Sequence, residues 1–372
     1  MRFSVLALTL LATGCTGVTV RDQDVIGDAS DIVVDGDSGT VTDARVVGVT
    51  TRMWVDTTRD TPANGDAGAH TGRNLPTEIW YPAIGTPDMG DIRDAPPDHG
   101  AGALPIVLFV HGSSGTSRQS TFLTRALASA GYLVAAADFP LNAFTTPGGP
   151  SDLHVDDQLG DLTFLANQLT AANNDSGDLF AGAIDTAHYV VAGHSTGGTV
   201  ALLSAFAPDI HDARVVGAAA LAPCACFFAP TFFTTRAMPL LVIAGTEDHF
   251  VPITDNGERA YTLAGPPKDL VALVGGTHLY FTDLRIADDT LMPTPTTGED
   301  AIAMALARYN AGTGCDMPPS FPGDPPMSFD AQHRHTIEWV TAFADATLRN
   351  QPDGMAALRA RTEADLRIQH AP

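Results

Sequence analysis

The chain has 372 residues, 44% of them hydrophobic, enough to bury one large core or two modest ones. Its 43 acidic residues outnumber the 20 basic ones and leave a formal charge of −23, with Lys268 the only lysine. A surface this negative repels phosphate backbones, so nucleic acid is not an expected partner.

Arg2 precedes the apolar run FSVLALTLLATG, which is too short to span a bilayer and fits the core of an export signal. The run ends at LATGC, which resembles a bacterial lipoprotein signal, where the cysteine is lipidated and becomes the mature N-terminus. The resemblance implies residues 1–15 as signal and a lipid anchor on Cys15; an ordinary secretory signal is the alternative. Either way the protein is expected to be exported: as a lipoprotein, periplasmic or at the cell surface and touching membrane only through that anchor, and otherwise secreted. Residues 16–45, TGVTVRDQDVIGDASDIVVDGDSGTVTDAR, are acidic, lack aromatics and show no helical or strand period, as in a solvated tether. The stretch from Asp35 to Gly39 lacks the later ligands of a calcium loop.

From Val46 to the end the chain reads as one α/β domain. Strands are expected at VVGVTTRMWV, TEIWYPA, PIVLFV, YLVAAAD, HYVVAG, ARVVGAAAL, PLLVIAG and DLVALV. Helical patterns fall at about 117–130, 152–173, 196–207, 255–264 and 332–349. Strands that are nearly all apolar and alternate with helices predict an eight-stranded, mostly parallel sheet covered on both faces. A Pro-rich insertion at about 284–330 interrupts the pattern and is long enough to roof a site.

The stretch HYVVAGHSTGGTVALL runs a buried strand into Gly-His-Ser-Thr-Gly and then into a helix. That context suits a strand-to-helix elbow carrying Ser195 as a nucleophile. A serine hydroxyl needs a base, and the base an orienting acid. PLLVIAGTEDHFVP puts Asp248 at the end of the seventh strand, and LVALVGGTHLYF puts His278 just past the eighth. C-terminal strand ends share one edge of a parallel sheet, so the three side chains can converge there. Glu247 is the alternative acid, pointing another way from the same turn. PIVLFVHGSSG ends a strand in a turn whose Ser113 N–H, with that of Thr196, would form an oxyanion hole.

Other candidates have plainer readings. His194 is expected to pack under the elbow, His111 to hold its loop, and His249 to fall short of Ser195. His333 and His335 stand at i, i+2, cannot share a helix face, and are expected in solvent rather than on a metal. Phe227, Phe228, Phe232 and Phe233 would line a substrate pocket or form a satellite core cluster. Cys315 would bridge to Cys224 or to Cys226 in an oxidising compartment. No metal or organic cofactor is expected.

These residues resemble the α/β-hydrolase superfamily. More narrowly, the chain is similar to bacterial predicted dienelactone hydrolases and platelet-activating-factor acetylhydrolase-like serine esterases. That likeness is carried by VDTTRDTPANGDAGAHTGRNLPTEIWYPA and by DFPLNAFTTPGG followed by DLTFLANQL, over most of 46–350. Dienelactone hydrolases use a cysteine nucleophile where this chain has Ser195, so that activity does not transfer. Animal acetylhydrolases carry their acid after the sixth strand, where GAAALAPCACFF offers no carboxylate and leaves Asp248 to serve. The later placement is shared with dienelactone, cutinase and polyester hydrolases.

The sequence thus predicts a monomeric serine carboxylic-ester hydrolase acting on small-molecule or polymeric esters through an acyl-enzyme on Ser195. Its rate should fall below about pH 6–7 as the base protonates. Three alternatives stand beside it: a cutinase-like polyester hydrolase with an open cleft, an acyltransferase using the same triad, and a non-catalytic binding lipoprotein.

Overall fold

The computed structural model of the chain describes residues 45–86, 90–286 and 323–372, and their apolar runs pair into one ten-stranded sheet. The strands are β1 (Val47–Asp56), β2 (Arg73–Pro82), β3 (Ile92–Arg93), β4 (Leu104–Val110), β5 (Leu133–Ala137), β6 (Ile184–His194), β7 (Val215–Leu221), β8 (Leu240–Gly245), β9 (Lys268–Leu273) and β10 (Leu366–Ala371). Their order is β10-β9-β8-β7-β6-β4-β5-β2-β1-β3. From β5 through β4 and β6 to β9 every pairing is parallel, while β2 joins β5, and β10 joins β9, antiparallel. The helices are α1 (Thr121–Ser129), α2 (Gln158–Asn174), α3 (Thr196–Phe206), α4 (Gly257–Leu263), α5 (Phe329–Leu348) and α6 (Asp353–Arg359).

Alternation along the central strands builds two cores. In β4, Ile106, Leu108 and Val110 face a cluster with Leu162, Leu165 and Leu169 of α2 and Val200 and Leu203 of α3. Val107 and Phe109 face the opposite cluster with Leu123 and Leu127 of α1 and Trp339 and Val340 of α5. The period of two thus sends successive side chains to opposite helical layers. Every residue of α3 is buried, and a Cβ on Gly197 would lie 2.1 Å from the Val110 carbonyl oxygen. Only glycine lets α3 sit this close to the sheet.

The eight expected strands are all present. The additional two lie at the sheet edges: β3 has two residues, and β10 (LRIQHA) buries only Leu366. The first is too short to show a period, and in the second the alternation Leu-Arg-Ile-Gln lasts only four residues before His370 breaks it.

Arg73 at the start of β2 is 1% exposed and makes a two-pronged contact with Asp161 of α2, Nε to Oδ1 and Nη2 to Oδ2, each 2.7 Å. Arg59 adds a 2.5 Å bond to the same carboxylate and a 2.7 Å bond to Asp56. This cluster ties the β1–β2 hairpin to α2. Arg73→Met leaves a fully buried carboxylate with only the half-buried Arg59, so the expected loss is about 3 kcal/mol, read from denaturant midpoints.

His333 and His335 correct an expectation, since both are buried (7% and 0% exposed). At i, i+2 they do point to different sides of α5, but both sides are covered. The His333 ring stacks on Phe122 at 3.5 Å, and its Nε2 bonds the Thr282 carbonyl. His335 lies under the 361–365 segment that leads into β10, its Nε2 3.1 Å from Asp365. Burial lowers the His333 pKa to about 4, a shift worth roughly 3 kcal/mol. Its folded value is depressed, so its stabilisation is present above about pH 6.5 and is lost as pH falls towards 4. For His335 burial also pushes down, but the neighbouring Glu338 and Asp365 carboxylates outweigh it and raise the pKa. That contribution is complete below about pH 6.5 and disappears as pH rises through the folded value. Thermal melts should therefore show His333→Gln narrowing its deficit towards pH 4, and His335→Gln narrowing its deficit in mild alkali. Parallel pH curves for the two variants would contradict this.

Candidate active site

Ser195 stands between the last residue of β6 and the first of α3, with φ 57° and ψ −122°. A non-glycine residue held there is strained and persists only where its surroundings fix it. Its N–H donates to Leu221 O at 2.9 Å, and its carbonyl accepts from Thr199 N at 3.0 Å. The side chain is half-buried, at the N-terminus of a helix whose dipole favours developing negative charge.

Asp248 follows β8 and is fully buried. Its Oδ1 accepts from the amides of Phe250 (3.0 Å) and Val251 (2.7 Å), and its Oδ2 meets His278 Nδ1 at 2.7 Å. Both carboxylate oxygens are therefore committed, and the imidazole just past β9 is oriented by the second. Glu247 turns away: its Oε1 accepts from Asp324 N, and its Oε2 lies 3.9 Å from His249. His194 packs beneath the elbow, its ring 4.5 Å from that of His278 and its Nδ1 3.0 Å from Gln119 Nε2. Burial, and then the nearby charge of His278, hold its pKa well below the usual imidazole range. His194 thus stays neutral beside His278.

The turn after β4 lies against the elbow, and a Cβ on Gly112 would come within 3.1 Å of Ser195 Cβ. His111 is buried and holds this turn. Its Nε2 accepts from Phe139 N (3.2 Å), so Nδ1 carries the proton and donates to Gly112 O (2.8 Å). The amide of Gly112 donates to Gln119 Oε1, that of Ser114 to Asn142 O, and that of Gly115 to Gly112 O. The N–H groups of Ser113 and Thr196 have no acceptor among the described residues. Two unspent donors beside Ser195 are what a developing oxyanion requires.

Other expected site residues fall elsewhere. Phe227, Phe228, Phe232 and Phe233 are buried core: Phe228 stacks on Phe232 at 4.0 Å, and Phe206 packs on Phe232 and Phe233. Of the two readings for them, the core cluster is the one observed, because the chain after β7 folds them down onto α3. Cys226 is in a disulfide. Cys15, Cys315, the signal, all but the last residue of the tether and positions 287–322 of the Pro-rich insertion lie outside the described residues. His335, Glu363 and Asp365 bring ligand-type atoms within 4.8 Å of one another. Arg334 approaches the same His335 nitrogen at 3.3 Å, and Arg361 pairs with Glu363 at 3.4 Å, so cations already neutralise this corner. A cavity of about 170 Å³ opens between the 61–70 and 138–147 loops, and neither the 112–115 turn nor Ser195 lines it. No helix among the described residues is long and apolar enough to cross a membrane. Sequence reasoning missed Gln119, Asn142 and Asp152 around the turn; only the quoted DFPLNAF stretch touched this group.

Neither a scan of protein-family models nor a search of curated proteins found a match. Among solved structures, a ferulic acid esterase from Streptomyces cinnamoneus is similar, with a TM-score of 0.59 and 21% identity. The likeness covers 89% of this chain and 98% of that one. The chain therefore has the α/β-hydrolase fold, a mostly parallel sheet with helices on both faces.

Proposed function

We propose that the protein is a serine carboxylic-ester hydrolase working through an acyl-enzyme on Ser195. The observation that carries this reading is the 2.7 Å Asp248–His278 pair at the strand ends beside the strained Ser195 turn. With Nδ1–H donated to Asp248, Nε2 is the basic nitrogen and takes the Ser195 proton as Oγ attacks the ester carbonyl. The Ser113 and Thr196 amides hold the tetrahedral oxyanion; a donor of this kind typically contributes about 3–4 kcal/mol. Collapse expels the alcohol, protonated by His278, and water then attacks the acyl-enzyme along the reverse proton path. Asp248 offsets the imidazolium charge in both halves.

The likeness to a protein named for ferulic acid ester cleavage supports ester substrates as a class, as does the resemblance to acetylhydrolase-like esterases. The test is a panel of p-nitrophenyl esters from acetate to palmitate, beside a polyester film and a fluorophosphonate label. The expected result is ester hydrolysis that stops when the label modifies Ser195, with a rate that declines below about pH 6–7. An unlabelled Ser195 and no turnover of any ester would overturn the reading. A rate unchanged down to pH 4 would remove the imidazole from it.

A further inference from the structure

Asp152 is 4% exposed, and among the described residues no cation pairs with it. A carboxylate buried without a counter-charge is costly to keep, so the groups it holds identify its role. Its Oδ2 accepts from Ser113 Oγ at 2.9 Å, and its Oδ1 accepts from Asn142 Nδ2. The Asn142 carbonyl in turn receives the Ser114 amide at 3.0 Å, and Phe144 N donates to Gly115 O at 2.9 Å. The 139–152 segment therefore grips the 112–115 turn at three successive residues, two of them through the Asp152–Asn142 pair. The turn needs gripping, because Ser114 has φ 59°, a conformation a serine holds only under constraint. Ser113 itself is solvent-exposed, and no core packing sets its orientation.

We propose that Asp152 is a positioning residue: by clamping the Ser113 side chain against Asn142 it aims the unspent Ser113 amide at the oxyanion site beside Ser195. This rests on the ester-hydrolase reading. Asp152 touches no reacting atom and acts through Ser113. Burial raises its carboxyl pKa, with the bonds from Ser113 and Asn142 pulling the other way. A shift towards the neutral acid suits a group that must sit near a developing oxyanion without repelling it.

The experiment compares Asp152→Ala, Asp152→Asn, Ser113→Ala and the Asp152→Ala/Ser113→Ala double variant on p-nitrophenyl acetate. Rates are normalised to the Ser195 fraction titrated by fluorophosphonate. Deleting one oxyanion donor costs about 10²–10³ in kcat, so loosening one should cost about 10- to 100-fold. Asp152→Ala and Ser113→Ala should each show that loss in kcat with KM changed less than about threefold, and the double variant should lose little more. Asparagine can accept from Asn142 and donate to Ser113 Oγ, so Asp152→Asn should restore kcat to within about threefold. A merely structural role would lower Tm and the titratable fraction while leaving kcat per titrated site intact, and that result overturns the proposal. So do losses that multiply in the double variant. Should Asp152→Ala fail to fold, an unchanged kcat in Ser113→Ala is decisive on its own. If the unaltered protein turns over no ester and takes no label, the hydrolase reading and this inference fall together. If it does both and Asp152→Ala matches it, this inference alone fails.

Discussion

Replacing Ser195 with alanine is expected to lower kcat for p-nitrophenyl ester hydrolysis by about 10⁴- to 10⁶-fold. The size follows from the neighbours, none of which can substitute. Thr196 is 2% exposed in the first turn of α3, and Ser113 has its hydroxyl committed to Asp152. His278 would retain its pairing with Asp248 but have no hydroxyl to deprotonate, and the two amides would still polarise a bound carbonyl. The residue of activity should therefore be that of the oxyanion site alone. The fold should be little disturbed, since the contacts that fix this turn run through backbone atoms, to Leu221 O and from Thr199 N. A Tm close to that of the unaltered protein, together with lost turnover, is the expected pair of readings. More than about a tenth of normal activity would place the chemistry somewhere other than this turn.

The central strands and the turn at Ser195 could be read in sequence because both are local. HYVVAG is a run of apolar residues ending at a glycine-flanked serine, and the order of strand ends alone carries Asp248 and His278 to the same sheet edge. The stretches VDTTR and RNLPTEIWYPA were legible as a signature but not as a device. Their Arg59 and Arg73 gather on Asp161, about 90–100 residues away, and Asp56 holds Arg59 from its other side, in a buried ion cluster. Nothing local to Arg73 announces that its guanidinium is enclosed. The same limit hid the clamp on the Ser113 turn: Asn142 lies in an irregular loop, and Asp152, read as the start of a helix, belongs instead to the loop before α2. His333 and His335 were misread for a related reason: Phe122 of α1 and the chain after β9 cover the first, the polar 361–365 segment covers the second, and neither cover is signalled near these histidines in sequence. What escaped the sequence is thus tertiary and polar, while what was legible is apolar and periodic.

Asp248→Asn is expected to lower kcat by about 10⁴-fold while leaving KM within a few-fold, although the replacement is nearly isosteric. The reason lies in the donors around this carboxylate. The Phe250 and Val251 amides point at one oxygen and His278 Nδ1 at the other. An asparagine must place its single carbonyl oxygen on the two amides, because its NH₂ group cannot face two further donors. Its nitrogen then meets His278 Nδ1, where both groups cannot donate. The imidazole relieves the conflict by moving its proton to Nε2, so that Nδ1 accepts, and the nitrogen facing Ser195 is no longer basic. Substrate contacts are untouched, which is why the loss falls on kcat. In the pH–rate profile the plateau governed by imidazole should give way to a rate that climbs with hydroxide. Glu247→Gln, whose carboxylate binds Asp324 N instead, should stay within about threefold of normal. If Asp248→Asn were the mild variant and Glu247→Gln the severe one, the carboxylate in contact with His278 would not be the one that sets its tautomer.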